Sequence, residues 1–484
     1  MKKRFKKLTA ISCACVSAFS LFAFTACEEE KEIINAYDIA VKNGFQGSEE
    51  AWLLSLQGAN GADGKSLDIV EMYEASGFEG TLLEFIKELG VEFSLQENNA
   101  TEIIAENVTS VLNVCCAFTK EVQVGSRWNS RTETESSAAK GSAVVLNIQE
   151  ERGEMYLVTN YHVVYDADKG ISECIWLYPY GARESFSVGT DTDGDGYIET
   201  APGNTEDGDG IQAHFIGGAM DYDVALLRVN DENLKTYVEN YALREAVFGD
   251  SEQVTVGEKV FAVGNSNGLG ISVTNGLISV DSETITMGST DGQRTVSYRV
   301  MRTDAAINHG NSGGALFNAQ GKLIGITNAK SVADETDNMG YALPITQVKY
   351  VLQNLWNNVT LSQDGFVLRA WLGVETYINA TRTELVDGKL KIIESFLVSS
   401  VLDGADAGAA GANGDDNKRL KAGDVFKAVT LHGKTTTLTR RHQLNDVLLT
   451  VRKGDTMIFH VLRDGSEKQV AITFDKDEYF VKYA

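Results

Sequence analysis

The segment Thr303–Leu316 reads TDAAINHGNSGGAL, and it decides how the rest of the chain is interpreted. Ser312 lies in the glycine-rich stretch GNSGG, where the backbone can turn tightly. A serine hydroxyl is a weak nucleophile at neutral pH, so it needs a neighbouring base to take its proton. Ser312 is therefore a candidate nucleophile. The backbone N–H groups of Gly310 and Ser312 are candidate donors for an oxyanion hole.

Two apolar segments upstream supply the residue types that such a serine requires. His162 follows an apolar run in TNYHVV, and Asp223 opens the apolar run DVALLRV. Imidazole titrates near neutrality, and a buried carboxylate can fix its tautomer. Asp221 is a rival for the acid, but Asp223 directly precedes the apolar run. We therefore take His162, Asp223 and Ser312 as the candidate catalytic set.

The order of these three residues along the chain separates two fold classes. The GNSGG stretch also fits the nucleophile turn of α/β-hydrolases, in which the serine precedes both the acid and the histidine. Here the histidine and the acid precede Ser312 by 150 and 89 residues. This is the order of trypsin-like proteins, and it favours a β-barrel fold over an α/β sheet.

Composition and local patterns agree with a β-rich, multidomain protein. The chain has 484 residues and a formal net charge of −25, which argues against a nucleic-acid partner. From about residue 103, short runs rich in Val and Ile alternate with Gly, Asn and Asp clusters. A helical pattern returns near Ile345–Trp356. An all-β core is the prediction.

The stretch from about 103 to 350 resembles the protease domain of the HtrA/DegP family of trypsin-like serine proteases. The motifs TNYHVV, DVALL, VGNSNGLGISVTNGLIS, TDAAINHGNSGGAL, GKLIGI and MGYALPI occur in the order of that family. The resemblance implies two six-stranded barrels with the catalytic cleft between them. It also implies an apolar specificity pocket lined by Ile307 and Tyr341, and a homotrimer.

Three features depart from the family pattern. KGSAVV, at 140–145, replaces a glycine-rich stretch, which we interpret as a matter of packing. His309 stands where the family more often has Arg or Pro, and we interpret it as an exposed loop residue. The third is an insertion of about 183–213, which makes the spacing from His162 to Asp223 61 residues.

The insertion contains DTDGDGYIE, which matches the start of a calcium-binding loop. Asp191, Asp193 and Asp195 alternate as calcium ligands do, with a glycine after the third. The closing glutamate of such a loop is missing, and Glu199 or Glu206 could substitute. The alternative is a solvated acidic loop. Structural calcium is the only cofactor that the sequence suggests.

The stretch of about 366–480 resembles a PDZ domain. The segments VLRAWLGVE, VSSVLDGADAGAAG, RLKAGDVFKAV and KGDTMIFHVLRDG carry the resemblance. PDZ domains add a C-terminal peptide as an extra strand at a sheet edge. The loop that would hold the peptide carboxylate is Trp371, Leu372, Gly373 and Val374. The alternative is a β-rich domain without a ligand.

The N-terminal segment resembles a bacterial lipoprotein signal. A basic start, an apolar run and FTAC end at Cys27, which the resemblance implies is lipidated. A signal-anchor helix is the alternative. Either interpretation exports the chain and holds it at the outer face of the cytoplasmic membrane. Residues 37–89 hold a weak repeat with an offset of 33, which predicts a small helical spacer.

The predicted organisation has four parts: a signal segment (1–27), a helical repeat module (28–97), a protease domain (98–360) and a PDZ domain (361–484). Cys115, Cys116 and Cys174 are expected to be buried thiols, with a disulfide from one of the first two to Cys174 as the alternative.

The predicted function is an envelope endopeptidase that cleaves unfolded or damaged proteins and is regulated by its PDZ domain. Unfolded proteins, C-terminal peptides and the membrane are the predicted partners. One alternative is a catalytically silent holdase or peptide-binding sensor on the same fold. Another is an adhesin-like surface protein in which the N-terminal repeats do the main work.

Overall fold

The computed structural model describes residues 100–126, 128–329, 339–358, 365–386, 388–402 and 419–483. Its core consists of two closed six-stranded β-barrels, which confirms the predicted all-β double barrel. Cys27, the signal segment and the helical repeat module (28–97) lie outside the described residues. Among the described residues, no helix combines the length and the apolar character needed to cross a bilayer.

The first half of the described chain forms ten strands. They are β1 (Val111–Ser126), β2 (Asn129–Gln149), β3 (Glu154–Thr159), β4 (Tyr165–Asp166), β5 (Gly170–Ile171), β6 (Cys174–Tyr178), β7 (Phe186–Ser187), β8 (Gly203–Asn204), β9 (Ile211–Ala219) and β10 (Val224–Asn230). The first barrel closes in the order β1-β2-β3-β10-β9-β6. The two-residue ladder β7–β8 lies in the predicted insertion.

Strand β10 shows why this region reads as a continuous apolar run. Ala225 and Leu227 point into the first barrel, whereas Val224 and Leu226 point into the cluster that joins the two barrels. Successive side chains of a strand alternate between faces, so a strand buried on both faces needs apolar residues throughout. Strand β10, which directly follows Asp223, is therefore held between the two cores.

The second barrel closes in the order β11-β12-β13-β16-β15-β14. Its strands are β11 (Lys259–Gly264), β12 (Ser272–Gly288), β13 (Thr295–Thr303), β14 (Ala315–Asn318), β15 (Leu323–Asn328) and β16 (Gly340–Pro344). Ser312 lies in the loop between β13 and β14, so the second barrel supplies the candidate nucleophile while the first supplies His162 and Asp223.

Five helices accompany the described strands: α1 (Ala100–Asn107), α2 (Tyr161–Val164), α3 (Leu234–Tyr241), α4 (Ile345–Asn358) and α5 (Arg441–Leu448). The predicted helix near Ile345–Trp356 is confirmed by α4, whose buried positions recur at helical spacing. Helix α3 was not predicted, although its residues that pack against the first barrel do recur at helical spacing: Leu234, Tyr237, Val238 and Tyr241.

The C-terminal part is a separate sheet with the strand order β18-β19-β20-β22-β23, and β21 also pairs with β20. Outside this sheet, β17 pairs with the last strand, β24. The bounds are β17 (Val367–Ala370), β18 (Val374–Val386), β19 (Lys389–Val401), β20 (Val425–Leu431), β21 (Lys434–Thr437), β22 (Thr456–Arg463), β23 (Ser466–Thr473) and β24 (Phe480–Tyr483).

A buried ionic cluster joins helix α5 to the second barrel. The guanidinium of Arg299, on β13, donates to Asp446 at 2.5 Å and to Glu252 at 2.5 Å. His442 lies 3.1 Å from the second oxygen of Glu252. Burial raises the pKa of Asp446 to about 7, with Arg299 opposing and Glu252 reinforcing this shift. The C-terminal part is thus fixed to the second barrel by charged groups that are largely out of water.

Candidate active site

His162 lies one residue into the short helix α2, directly after strand β3 ends at Thr159. The sequence had suggested that it ends the strand itself. The difference matters because the helical turn directs the His162 backbone N–H toward Asp223, which accepts it through Oδ1 at 3.0 Å. Backbone and ring of His162 are therefore both held by one carboxylate.

Asp223 is fully buried and precedes strand β10. Its backbone φ of 52° is in the left-handed region, which few residues other than glycine adopt. The carboxylate oxygen Oδ2 lies 2.7 Å from Nδ1 of His162. Its rival Asp221 forms an ion pair with Arg294 at 2.9 Å instead, and burial raises the pKa of that carboxyl.

The hydroxyl of Ser312 lies 2.9 Å from Nε2 of His162. The same oxygen accepts a hydrogen bond from the backbone N–H of Ala329 at 3.0 Å. Because that N–H can only donate, the single hydroxyl proton of Ser312 is left to point at Nε2. This arrangement requires the tautomer of His162 that carries its proton on Nδ1, where Asp223 accepts it.

The turn before Ser312 presents two backbone donors. Neither the Gly310 N–H nor the Ser312 N–H donates to any residue that the structure describes. The carbonyl of His309 accepts from the N–H of Asn267 at 2.7 Å. Since the C=O and N–H of a trans peptide point in opposite directions, this bond turns the Gly310 N–H the other way. His309 itself is exposed, as the sequence suggested.

Gly310 is required by the shape of this turn. Its φ is +89°, and a Cβ at this position would lie 2.1 Å from the carbonyl oxygen of Asn265. Both the conformation and the close approach exclude a side chain. The glycine-rich stretch thus has the role that the sequence suggested: it lets the backbone turn tightly beside the serine.

Ser142 and Asn160 were missed by the sequence analysis, although both hold the site together. The N–H of Ser142 donates to the carbonyl of Ser312 at 2.8 Å, and its hydroxyl donates to the carbonyl of Gly310 at 2.9 Å. Asn160 donates to the Asp223 carbonyl at 2.9 Å and accepts from the Gly313 N–H at 2.7 Å. Through Ser142, the KGSAVV segment therefore helps to hold the backbone of the site in place, in addition to its expected role in packing.

The two residues assigned to the specificity pocket do not lie together. Ile307 packs beside Gly340, where an added Cβ would lie 2.9 Å from Cδ1 of Ile307. Tyr341 belongs to the cluster that joins the two barrels, and its hydroxyl lies 3.8 Å from the sulfur of Met339. Neighbouring residues of a strand face opposite sides, so Gly340 and Tyr341 cannot share a pocket wall. The specificity pocket stays a prediction, and of the residues near Tyr341 it is Gly340 that lies beside Ile307.

The acidic loop of the insertion brings four carboxylates together. Asp191, Asp193, Asp195 and Glu199 each place one oxygen within 4.8 Å of the others. All four are exposed, and Asp195 also forms an ion pair with Arg131. Backbone N–H groups of the same loop bind Asp191 and lower its pKa. Calcium binding here stays a prediction.

Residues 371–373 connect β17 to β18, which begins at Val374 and is the outermost strand of the C-terminal sheet. The Trp371 N–H is already engaged, because it donates to the carbonyl of Tyr479 at 2.9 Å. The Leu372 and Gly373 N–H groups donate to no residue in the described part of the chain. The N–H groups of Leu372 and Gly373 are thus available as donors next to the outer edge of β18, whereas the N–H of Trp371 is not.

The three cysteines of the described residues are free thiols. Burial raises the pKa of Cys115 to about 12 and raises those of Cys116 and Cys174 as well. Such thiols are protonated at neutral pH and unreactive. The expectation of unpaired thiols is confirmed for these three residues.

Comparisons with known proteins bear on the same region. A family model described as a trypsin-like peptidase domain matches residues 141–326, a range that contains His162, Asp223 and Ser312. A "Serine protease Do-like HtrA" of Bacillus subtilis is 28% identical over 396 residues, which cover 80% of this chain and 74% of that protein. A "Probable periplasmic serine endoprotease DegP-like" of Halomonas elongata is 33% identical over 60% of this chain and 56% of that protein.

The chain is a serine endopeptidase with a trypsin-like fold, and its sequence is similar to those of HtrA and DegP-like proteases. Among solved structures, an "HtrA-type protease AlgW with tripeptide" is 23% identical to the endopeptidase, with a TM-score of 0.45, over 79% of this chain and 97% of that one.

Proposed function

We propose that this endopeptidase cleaves unfolded or damaged proteins outside the cytoplasm, with Ser312 as nucleophile, His162 as general base and acid, and Asp223 as the carboxylate that orients His162. The observation that carries the proposal is the position of the His162 ring between Asp223 and Ser312. The ring lies 2.7 Å from Asp223 and 2.9 Å from Ser312.

The reaction follows from this geometry. Oγ of Ser312 attacks the scissile carbonyl while Nε2 of His162 takes its proton, and Asp223 stabilises the imidazolium that forms. The negative oxygen of the tetrahedral intermediate accepts from the N–H groups of Gly310 and Ser312. His162 then protonates the leaving amine, and water hydrolyses the acyl-enzyme by the same route. No metal or organic cofactor takes part in these steps.

The substrate side chain next to the cut bond is expected to be apolar and of medium size. Ile307 and Gly340 form one wall of the proposed pocket, and neither offers a charge or a hydrogen-bonding side chain. A polypeptide reaches such a cleft in extended form, which folded proteins rarely offer. Unfolded chains with exposed apolar residues are therefore the proposed substrates.

Casein cleavage tests this proposal against a silent holdase. The parent protein starting at Glu28 is expected to degrade casein, whereas Ser312→Ala is expected to leave it intact. Ser130→Ala, an exposed serine on β2, serves as the matched control and should cleave like the parent. If parent and Ser312→Ala both suppress aggregation of an unfolded protein but neither cleaves any peptide, the holdase is the correct function.

We also propose that the C-terminal part is a PDZ domain that binds C-terminal peptides. The free edge of β18 would pair with the peptide, and the N–H groups of Leu372 and Gly373 would bind its carboxylate. A fluorescent peptide with an apolar free C-terminus should bind Ser312→Ala protein in a polarisation assay, and its C-terminal amide should not. Equal binding of acid and amide would contradict the proposal.

The proposed location is the outer face of the bacterial cytoplasmic membrane, with the chain held by a lipid on Cys27. The similarity to a protein named as periplasmic supports export. Detergent partitioning of the expressed full chain tests the anchor, since Cys27→Ser should move the protein to the aqueous phase. A trimer is the proposed assembly, and its mass in solution tests it.

A further inference from the structure

The turn that precedes Asp223 is contacted by the two paired C-terminal strands, β17 and β24. Residues Met220–Tyr222 form a single 3₁₀ turn, and the N–H of Asp223 closes it by donating to the Met220 carbonyl at 3.2 Å. Asp223 then adopts its left-handed conformation, with φ 52°. Such a conformation persists only when the surroundings hold it, because it costs free energy in residues other than glycine.

Two of the residues before Asp223 are held by the hairpin of β12 and β13. The carbonyl of Met220 accepts from the hydroxyl of Tyr298 at 3.3 Å. The carboxylate of Asp221 pairs with Arg294 at 2.9 Å. These contacts come from the second barrel and fix the beginning of the turn.

Tyr222, the residue that directly precedes Asp223, is held by the C-terminal part of the chain. A guanidinium nitrogen of Arg369 lies 3.4 Å from its hydroxyl oxygen. The ring of Tyr483 meets the ring of Tyr222 edge-on, with centroids 5.5 Å apart and planes at 78°. The Arg369 guanidinium also lies over the Tyr483 ring at 5.1 Å. The three side chains form one cluster, in which the arginine contacts both aromatic groups.

Arg369 and Tyr483 reach this place because β17 and β24 are paired. In their antiparallel register Val367 is opposite Tyr483 and Arg369 is opposite Val481. Arg369 is two residues from Val367, so its side chain is on the same face as Tyr483, as a diagonal neighbour. Burial raises the pKa of the Tyr222 hydroxyl, so the group stays neutral and can accept from the guanidinium.

We propose that Arg369 and Tyr483 are positioning residues for the reaction: through Tyr222 they hold the turn that aims Asp223 at His162. This inference rests on the proposed roles of His162, Asp223 and Ser312. It makes the last strand, more than 250 residues beyond Asp223, a requirement for full catalytic rate. Tyr222, Arg369 and Tyr483 lie outside the proposed catalytic set and contact it only through the turn, so we expect them to act on the turnover number and to leave substrate binding unchanged.

The test compares four variants on a fluorogenic peptide with an amidated C-terminus. Arg369→Met removes the guanidinium and keeps an apolar side chain, Arg369→Lys keeps the charge, and Tyr222→Phe removes only the hydroxyl. Arg382→Met is the matched control, since Arg382 is exposed on β18 and, among the residues that the structure describes, forms an ion pair with Glu384 alone. The kcat, the KM and the thermal unfolding temperature are measured for each.

We expect Arg369→Met to lower kcat by about tenfold, because a small displacement of a catalytic group costs rate even from a distance. The KM should stay within about twofold. Tyr222→Phe should also lower kcat. Arg369→Lys should have a kcat between those of Arg369→Met and the parent, and Arg382→Met should have the kcat of the parent.

The inference is overturned if Arg369→Met and Tyr222→Phe both turn over at the parent kcat. Tyr222→Phe keeps the ring and its packing, so it decides the question if Arg369→Met fails to fold. An equal loss in Arg369→Lys and Arg369→Met, with a fall in unfolding temperature that accounts for it, would show a structural role only and would also overturn the inference. Failure of the proposed function looks different: the parent and Ser312→Ala would then give the same rate.

Discussion

The side-chain amide of Asn328 donates a hydrogen bond of 2.8 Å to Oδ2 of Asp223, the same oxygen that faces Nδ1 of His162. Asn328 ends strand β15 in the second barrel, whereas Asp223 belongs to the first. The carboxylate is thus fixed from both barrels. This bond links the two halves of the cleft directly at the carboxylate of Asp223.

Replacing Asn328 with alanine should therefore slow the reaction and leave substrate affinity almost unchanged. A hydrogen bond to a charged group contributes about 1.5–3 kcal/mol, and its loss lets the carboxylate turn away from His162. We expect kcat to fall by at least about tenfold, with an unchanged KM in steady-state peptide cleavage. Asn129→Ala, at an exposed asparagine on β2, is the control. A parent-like kcat for Asn328→Ala would show that Asp223 needs no support from β15.

Ser142→Ala should also reduce kcat, for a different reason. The Ser142 hydroxyl donates to the Gly310 carbonyl at 2.9 Å and accepts from the N–H of Asn265 at 2.8 Å, so it fixes the turn that supplies the Gly310 N–H. Without it a buried donor and a buried acceptor lose their partner. We expect a loss of about tenfold in kcat together with a lower unfolding temperature. Unchanged values of both would refute the role of Ser142.

Gly310→Ala should damage catalysis more severely than either of these changes. An added Cβ would lie 2.1 Å from the Asn265 carbonyl oxygen, so the turn must move and carry the Gly310 N–H out of place. Removal of one oxyanion donor typically lowers kcat by about 10²–10³. The measurement is kcat on a peptide substrate, with circular dichroism as the check on folding. A folded variant with more than half of the parent rate would exclude this N–H as a donor.

Asp446→Asn should change how stability depends on pH. Burial raises the pKa of Asp446 from 3.8 to about 7, so between these values the folded protein holds a proton that the unfolded chain has released. The contribution of this group to the free energy of unfolding is complete below pH 3.8 and is lost as the pH rises to about 7. Asparagine does not titrate.

The unfolding temperature of Asp446→Asn, relative to that of the parent, should therefore increase between about pH 5 and pH 8. Thermal unfolding followed by circular dichroism at both pH values measures this difference. An equal difference at the two pH values would contradict the buried, proton-holding carboxyl.

The sequence predicted the parts of the site that carry their own local signal. His162, Asp223 and Ser312 stand in apolar or glycine-rich segments whose order favours a β-barrel fold over an α/β sheet. The double barrel was implied by the resemblance to HtrA/DegP proteases. Asn328 and Ser142 have no such signal. They act through contacts with backbone or carboxylate groups far away in the chain, 105 residues away for Asn328 and 168 for Ser142.

The side to which Tyr341 points could not be predicted from its motif. A motif such as MGYALPI locates a strand, but only the register decides which of its residues faces the cleft. Gly340 faces Ile307, so Tyr341 points the other way. The role of the last strand could not be predicted either, because Arg369 and Tyr483 meet Tyr222 only after β17 and β24 have paired.

The central claim is that Ser312 is a nucleophile activated by His162, and covalent labelling tests it most directly. The protein is treated with a fluorophosphonate, and the modified residue is identified by peptide mass spectrometry. We expect a single adduct on Ser312 in the parent and a rate of labelling lower by at least about 10² in His162→Ala. An adduct on another serine, or equal labelling of Ser312 in the parent and in His162→Ala, would contradict it.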